Sequence, residues 1–120
     1  PLDTAADNSE QEPTTLLGLL PPNIGADIIY LEAELHYIRV VTEQGEALVL
    51  YNLRDAIDDL KGLNGIQTHR SFWVVKRHVR AIRRSKNGWL CELQSGQVLP
   101  VSRRRASDVK KALTELGLLT

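Results

Sequence analysis

Two segments place arginines where a strand should meet a turn. Thr68-His69-Arg70-Ser71-Phe72-Trp73 runs into an apolar stretch, and Pro100-Val101-Ser102-Arg103-Arg104-Arg105 stands where a strand gives way to a helix. A guanidinium at the end of a rigid strand projects outward without disturbing the core. Its planar fork of donors fits the O6/N7 edge of guanine and also phosphate oxygens. Ser71 and Ser102 can add hydrogen bonds to phosphate. Three adjacent cations at the start of a helix oppose the helix dipole, a conflict that a nearby polyanion would relieve. A third basic group, Arg80, Arg83, Arg84 and Lys86, leads into a turn. It reads as a solvated edge strand kept from edge-to-edge pairing by its charge, with a secondary part in a phosphate-attracting field.

Other chemistries find little support. His36, His69 and His78 are scattered, none at ligand spacing from a cysteine or carboxylate, so no metal site is expected. Cys91 sits in Trp89-Leu90-Cys91-Glu92-Leu93, where alternation puts it on one face with Trp89 and Leu93; a buried, inert thiol is expected rather than a nucleophile. Asp55, Asp58 and Asp59 fall on the polar side of a short helix. Glu32 and Glu34 flank a strand end, where they can pair with arginines. Gly62, Gly65 and Gly88 form no phosphate-cradling loop. Neither an enzyme nor a cofactor is expected.

The formal net charge of +0 conceals a division. Residues 1–60 carry 12 acidic side chains against 2 basic, and residues 61–120 carry 13 basic against 3 acidic. Such asymmetry points to a polyanionic partner for the second half, unless folding interleaves the halves and cancels the charge. The 120 residues suffice for one modest core. One cysteine fits a reducing cytoplasm, and no apolar run approaches the length that crosses a bilayer. A first residue other than Met suggests a piece of something longer, with sensory or targeting segments upstream and a membrane anchor among the alternatives.

The elements that must position these residues are short. Residues 1–15 are polar and acidic and read as a disordered linker. Residues 16–26 read as an N-terminal arm: Leu16 to Leu20, stopped by Pro21-Pro22, either packs on the domain or meets a second subunit. The folded domain spans 27–120. Strands are expected at Ile28 to Leu31, Ile38 to Thr42 and Ala47 to Tyr51, with a turn at Glu43-Gln44-Gly45. Asn52 should cap a short helix with Leu53, Ala56, Ile57 and Leu60 on one face, ended by Gly62 and Asn64-Gly65. Strands follow at Phe72 to Val75, Val79 to Ile82, Trp89 to Leu93 and Val98 to Val101. Ser102 or Ser107 should cap a last helix with Val109, Ala112, Leu113 and Leu116 inward. The expected fold is mainly β with two short helices.

In order and spacing, Ile29-Tyr30-Leu31-Glu32-Ala33, His36-Tyr37-Ile38-Arg39-Val40, Thr68-His69-Arg70-Ser71-Phe72 and Leu99-Pro100-Val101-Ser102-Arg103-Arg104 resemble the LytTR DNA-binding domain family. The resemblance implies an elongated antiparallel β fold of small stacked sheets. It also implies sequence-specific binding of double-stranded DNA as the output domain of a bacterial transcription regulator. Loops and arginines, rather than a recognition helix, would enter successive major grooves of direct repeats, with a homodimer on the DNA. Family members often carry a receiver domain or membrane helices upstream. Carried over by position, the first DNA-facing loop is His36 to Arg39, the second contact is Arg70, and the third is Arg104 with Arg103 beside it. Where relatives often have an asparagine near the end of the strand after His-Arg-Ser, this chain has Val75 and then Lys76, which suggests Lys76 as a phosphate contact. The candidate DNA-binding residues are therefore His36, Tyr37, Arg39, Arg70, Ser71, Lys76, Arg103 and Arg104, with His69 orienting the Arg70 loop. The alternative is a protein-interaction module whose basic half docks an acidic partner.

Overall fold

The structure is a computed structural model that describes residues 15–86 and 88–115. The expected linker, save Thr15, and the inward Leu116 lie outside these residues. Eight strands form two antiparallel sheets. β1 (Ile28–Glu34), β2 (Tyr37–Thr42), β3 (Gly45–Leu50), β4 (Gly65–His69) and β5 (Phe72–Val75) make a five-stranded sheet in the order β3-β2-β1-β5-β4. β6 (Val79–Ser85), β7 (Gly88–Leu93) and β8 (Val98–Val101) make a three-stranded meander. Helix α1 is Leu53–Asp59 and α2 is Ala106–Thr114. The described body is elongated, 58 × 27 × 27 Å along its principal axes.

Period-two side-chain alternation gives the larger sheet two apolar faces. On one face Leu31, Ile38, Val40, Trp73 and Val75 pack against Leu53, Ala56 and Leu60 of the α1 segment and against Leu16. On the other, Tyr30 and Val74 join Ile82, Cys91, Leu93 and Leu99 of the smaller sheet and Val109 and Leu113 of α2. The result is three layers, with the five-stranded sheet in the middle. Each large aliphatic side chain fully buried this way contributes about 1.5–3 kcal/mol.

Local signals in the sequence have visible causes. Asn52 caps α1 by accepting from the Asp55 amide at 2.8 Å. The arm packs on the domain. Leu16 is fully buried and its amide donates to Asp59 Oδ2 at 3.0 Å, while Tyr51 donates its hydroxyl hydrogen to the same carboxylate. That bond pushes the Tyr51 phenol up to about 12. Leu20 turns extended, as a residue before proline must.

Two local expectations need correction. The strand β4 falls where only a helix stop and a turn were expected, and Gly65 opens that strand. Helix α2 has no side-chain cap at its first turn; the Ser102 hydroxyl accepts instead from the Arg105 amide at 3.3 Å, inside the turn before the helix.

Cys91 is wholly buried between the sheets, and burial pushes its thiol up to about 12. The native protein should therefore leave a disulfide-exchange reagent unreacted at mildly alkaline pH and titrate its single thiol on denaturation. Rapid reaction without denaturant would contradict the packing.

Candidate nucleic-acid interface

Antiparallel register sets three turns at one end of the molecule. The β1–β2 turn is the tight pair Leu35-His36, closed by Glu34 opposite Tyr37. Glu32 of β1 lies opposite Phe72 of β5, and the Ala33 amide donates to the Ser71 carbonyl at 2.8 Å, so the β4–β5 turn at Arg70 comes up beside it. The end of β8 is tied to β4, since the Ser102 amide donates to the Thr68 carbonyl at 2.8 Å. His36, Tyr37, Arg70, Ser71, Arg103 and Arg104 thus arrive at one edge from three distant parts of the chain.

The Arg70 turn is internally braced. The Ser71 amide donates to His69 Nδ1 at 3.1 Å, the His69 ring meets Phe72 edge-on, and Gln67 Nε2 donates to the Arg70 carbonyl at 3.4 Å. His69 therefore orients the loop. Arg70 is exposed, and no carboxylate among the described residues lies within ion-pair distance of it, of Arg103 or of Arg104.

Two candidates sit differently. Arg39 lies on the sheet surface with its guanidinium 2.7 Å from Glu34 and 3.3 Å from Glu46, carboxylates that hold it firmly charged and already occupied. Lys76 follows the far end of β5, where its amide donates to the Asn64 carbonyl at 3.1 Å; it is separated from the three turns by the length of the strand.

Other residues join the site that the sequence reading left out. Arg54, Gln67, Arg70 and Arg105 line one groove of about 350 Å³ with Leu53 and Ile57. Arg103 lines a second hollow of about 410 Å³ with Lys86, Gly88 and Trp89. The Trp89 ring carries Lys110 at 4.3 Å and Arg84 at 5.3 Å from its centroid, a cation–π arrangement that fixes both charges. The arginine triplet thereby bridges two basic hollows into one ridge. No spacing rule joins Arg54 or Lys110 to it. Arg105 was legible as part of the triplet.

Leu35, at the tip of the first turn, is 99% exposed with φ 57°, a left-handed conformation that bulky residues avoid. The edge-strand reading of the third basic group fits its surroundings. β6 is an edge strand, and Arg80 and Arg83 pair with Glu92 at 3.6 and 3.4 Å.

Among the described residues, the contact between the acidic and basic halves lies where Arg77 pairs with Asp27 and His78 stands beside Asp27 and Glu43. Folding leaves the charge largely segregated, with the basic ridge outward.

An antiparallel β scaffold gathers basic side chains from turns and from both helices into one ridge, the architecture of a small, mainly β domain with a cationic edge. Residues 25–114 match the LytTr DNA-binding domain family, and the chain belongs to that family. It is similar to the LytTr DNA-binding domain of a putative methyl-accepting/DNA response regulator from Bacillus cereus. That likeness has 29% identity and a TM-score of 0.61, and covers 72% of this chain and 81% of that one. It is also 32% identical over 90 residues to the CO-responsive transcriptional regulator RcoM of Rhodospirillum rubrum, covering 73% of this chain and 38% of that protein. The chain thus spans well under half the length of that regulator. Among the described residues no helix is long and apolar enough to cross a membrane.

Proposed function

We infer that this chain is the DNA-reading part of a bacterial transcription regulator and binds a specific double-stranded site. The observation that carries the reading is the convergence of the Leu35-His36, Arg70-Ser71 and Arg103–Arg105 turns on one edge, where Arg70, Arg103 and Arg104 have no carboxylate to release among the described residues. Arg70 and Arg104 read base edges in the major groove. His36, Tyr37, Ser71 and Arg103 support them, and Leu35 offers an apolar contact of the kind that suits a thymine methyl. Arg54, Arg105, Lys86 and Lys110 supply the phosphate field. Arg39 contributes by exchanging a carboxylate for a phosphate, and Lys76 contacts phosphate only if the duplex bends toward the far end of β5. A homodimer on direct repeats fits turns this short, since one copy can cover only a half-site. Upstream sensory input is consistent with the regulators that it resembles. The domain acts by binding and carries no catalysis of its own.

Selection of the chain against a random duplex pool, followed by titration of the winners across salt, tests this. Paired repeats about one helical turn apart and a steep salt slope are the expected outcome. Binding without an enriched motif would remove the base-reading roles of Arg70 and Arg104. Absence of binding at low salt would favour the docking of an acidic protein partner.

A further inference from the structure

The far end of the five-stranded sheet, away from the arginine turns, holds a second constellation. Asp27 directly precedes β1, Glu43 lies in the β2–β3 turn, and His78 closes the 3-10 turn that carries the chain from β5 into β6. The Glu43 amide donates to the Asp27 carbonyl at 3.2 Å, which holds the two acidic segments side by side. His78 is only 8% exposed, and its buried Nε2 has no hydrogen-bond partner. That nitrogen points at the acids: it is 3.6 Å from Asp27 Oδ1 and 3.9 Å from Glu43 Oε2, and one donor atom from each residue lies within 4.8 Å of the others. A buried imidazole nitrogen left without a partner is costly unless something binds it.

We propose that Asp27, Glu43 and His78 form a binding site for a divalent transition-metal ion, one imidazole and two carboxylates beside a crevice, lined by Glu43 and His78, whose water completes the coordination. Ligands about 2.1 Å from a tetrahedral zinc stand about 3.4 Å from one another, so the observed spacings need only small side-chain movements to close on an ion. A mixed nitrogen and oxygen set suits zinc, cobalt, nickel or manganese better than calcium, which takes oxygens alone. The adjoining crevice of about 240 Å³, lined by Ile29, Glu43, His78, Gln94 and Ser95, has room for several waters, with Gln94 and Ser95 as polar partners for them.

The two carboxyl groups also face each other. Their donor oxygens lie within 4.8 Å of one another, an arrangement of like charges that a bound cation would neutralise. Arg77 supplies one charge by pairing with Asp27, but its side chain is 63% exposed and free to yield to a cation. His78 is bonded through its carbonyl to the Gln94 amide at 2.9 Å, in the β7–β8 turn. An ion here would fasten the larger sheet to the smaller one at their joint.

The test uses the chelator-stripped chain titrated with cobalt(II), followed by its visible absorption, and with zinc(II), followed by calorimetry. One equivalent should bind and raise the thermal midpoint. Glu43→Gln, in an exposed turn, and Asp27→Asn should each weaken binding at least tenfold while keeping the circular dichroism of the metal-free fold; His36→Ala and His69→Ala should leave binding unchanged. Failure of both ions to saturate the unaltered chain would overturn the site. So would retention of full affinity in the Glu43 and Asp27 variants, or loss of binding with His36→Ala or His69→Ala. None of these outcomes depends on DNA binding, since the site lies at the other end of the sheet.

Discussion

Arg70→Ala is expected to weaken binding to the selected duplex by on the order of 1–3 kcal/mol, and to weaken binding to random duplex far less. The turn that presents Arg70 is ordered before DNA arrives, by the His69 acceptor, the His69–Phe72 edge contact and the Gln67 side chain. Little ordering entropy is therefore left to lose at the backbone, and no intramolecular ion pair among the described residues must be broken first. Arg39 offers the contrast, because any contact that it makes must offset the loss of Glu34 and Glu46. Arg83, paired with Glu92 on an edge strand, is the control. Its removal should lower affinity for all duplexes alike and flatten the salt slope by at most about one unit. Fluorescence anisotropy on matched specific and scrambled duplexes, at several salt concentrations, separates these behaviours. Equal losses on both duplexes for Arg70→Ala would make it a phosphate contact and not a reader of bases.

Much of this arrangement was legible because it rests on local rules. β5 and β8 fall at the expected residues, Asn52 caps α1, and Cys91 is buried with Leu93 as alternation required. His36, Arg70 and Arg104 lie in turns, but the loop expected from His36 to Arg39 is only the pair Leu35-His36, because Tyr37, Ile38 and Arg39 already belong to β2. What stayed hidden depends on contacts between distant segments. β4 reads Gly-Ile-Gln-Thr-His, with three polar side chains and a glycine, and is a strand because β5 and the end of β8 pair with its backbone. Arg39 carries no local mark of its pairing with Glu46, which comes from the neighbouring strand. Asp27, Glu43 and His78 lie in three separate segments, and metal-ligand spacing rules, which look for close pairs, pass over them. The overlooked basic residues Arg54 and Lys110 reach the ridge from helices whose polar sides look ordinary in sequence.

Gly65 shows most directly how a residue can be noticed for the wrong reason. Following Asn64, it reads as a helix stop, yet the left-handed residue is Asn64 itself, at φ 56°, and Gly65 lies outside that region. Its constraint is spatial. A Cβ there would lie 2.1 Å from Cζ2 and 2.4 Å from Cε2 of Trp73, whose ring is 3% exposed within the cluster under α1. The indole cannot step aside without disturbing Leu31, Ala56 and Val75. Gly65→Ala is therefore expected to destabilise by about 1–3 kcal/mol, the range for overpacking a filled core. For a domain of this size that lowers the thermal midpoint by roughly 4–8 °C per kcal/mol. A glycine kept only to stop a helix would give the opposite sign, because alanine at an unstrained position stabilises by about 0.4–1 kcal/mol through the unfolded chain. Trp73→Phe supplies the second arm. Alone it leaves a void and costs stability, but it removes the atoms that the new Cβ would strike, so the double variant should lose less than the two single losses combined. Strict additivity would mean that Gly65 answers to something other than the indole. At temperatures where Gly65→Ala remains folded, its DNA affinity should match the parent chain, because the Arg70 turn at the opposite end of β4 is braced by His69, Gln67 and Phe72 independently of the tryptophan.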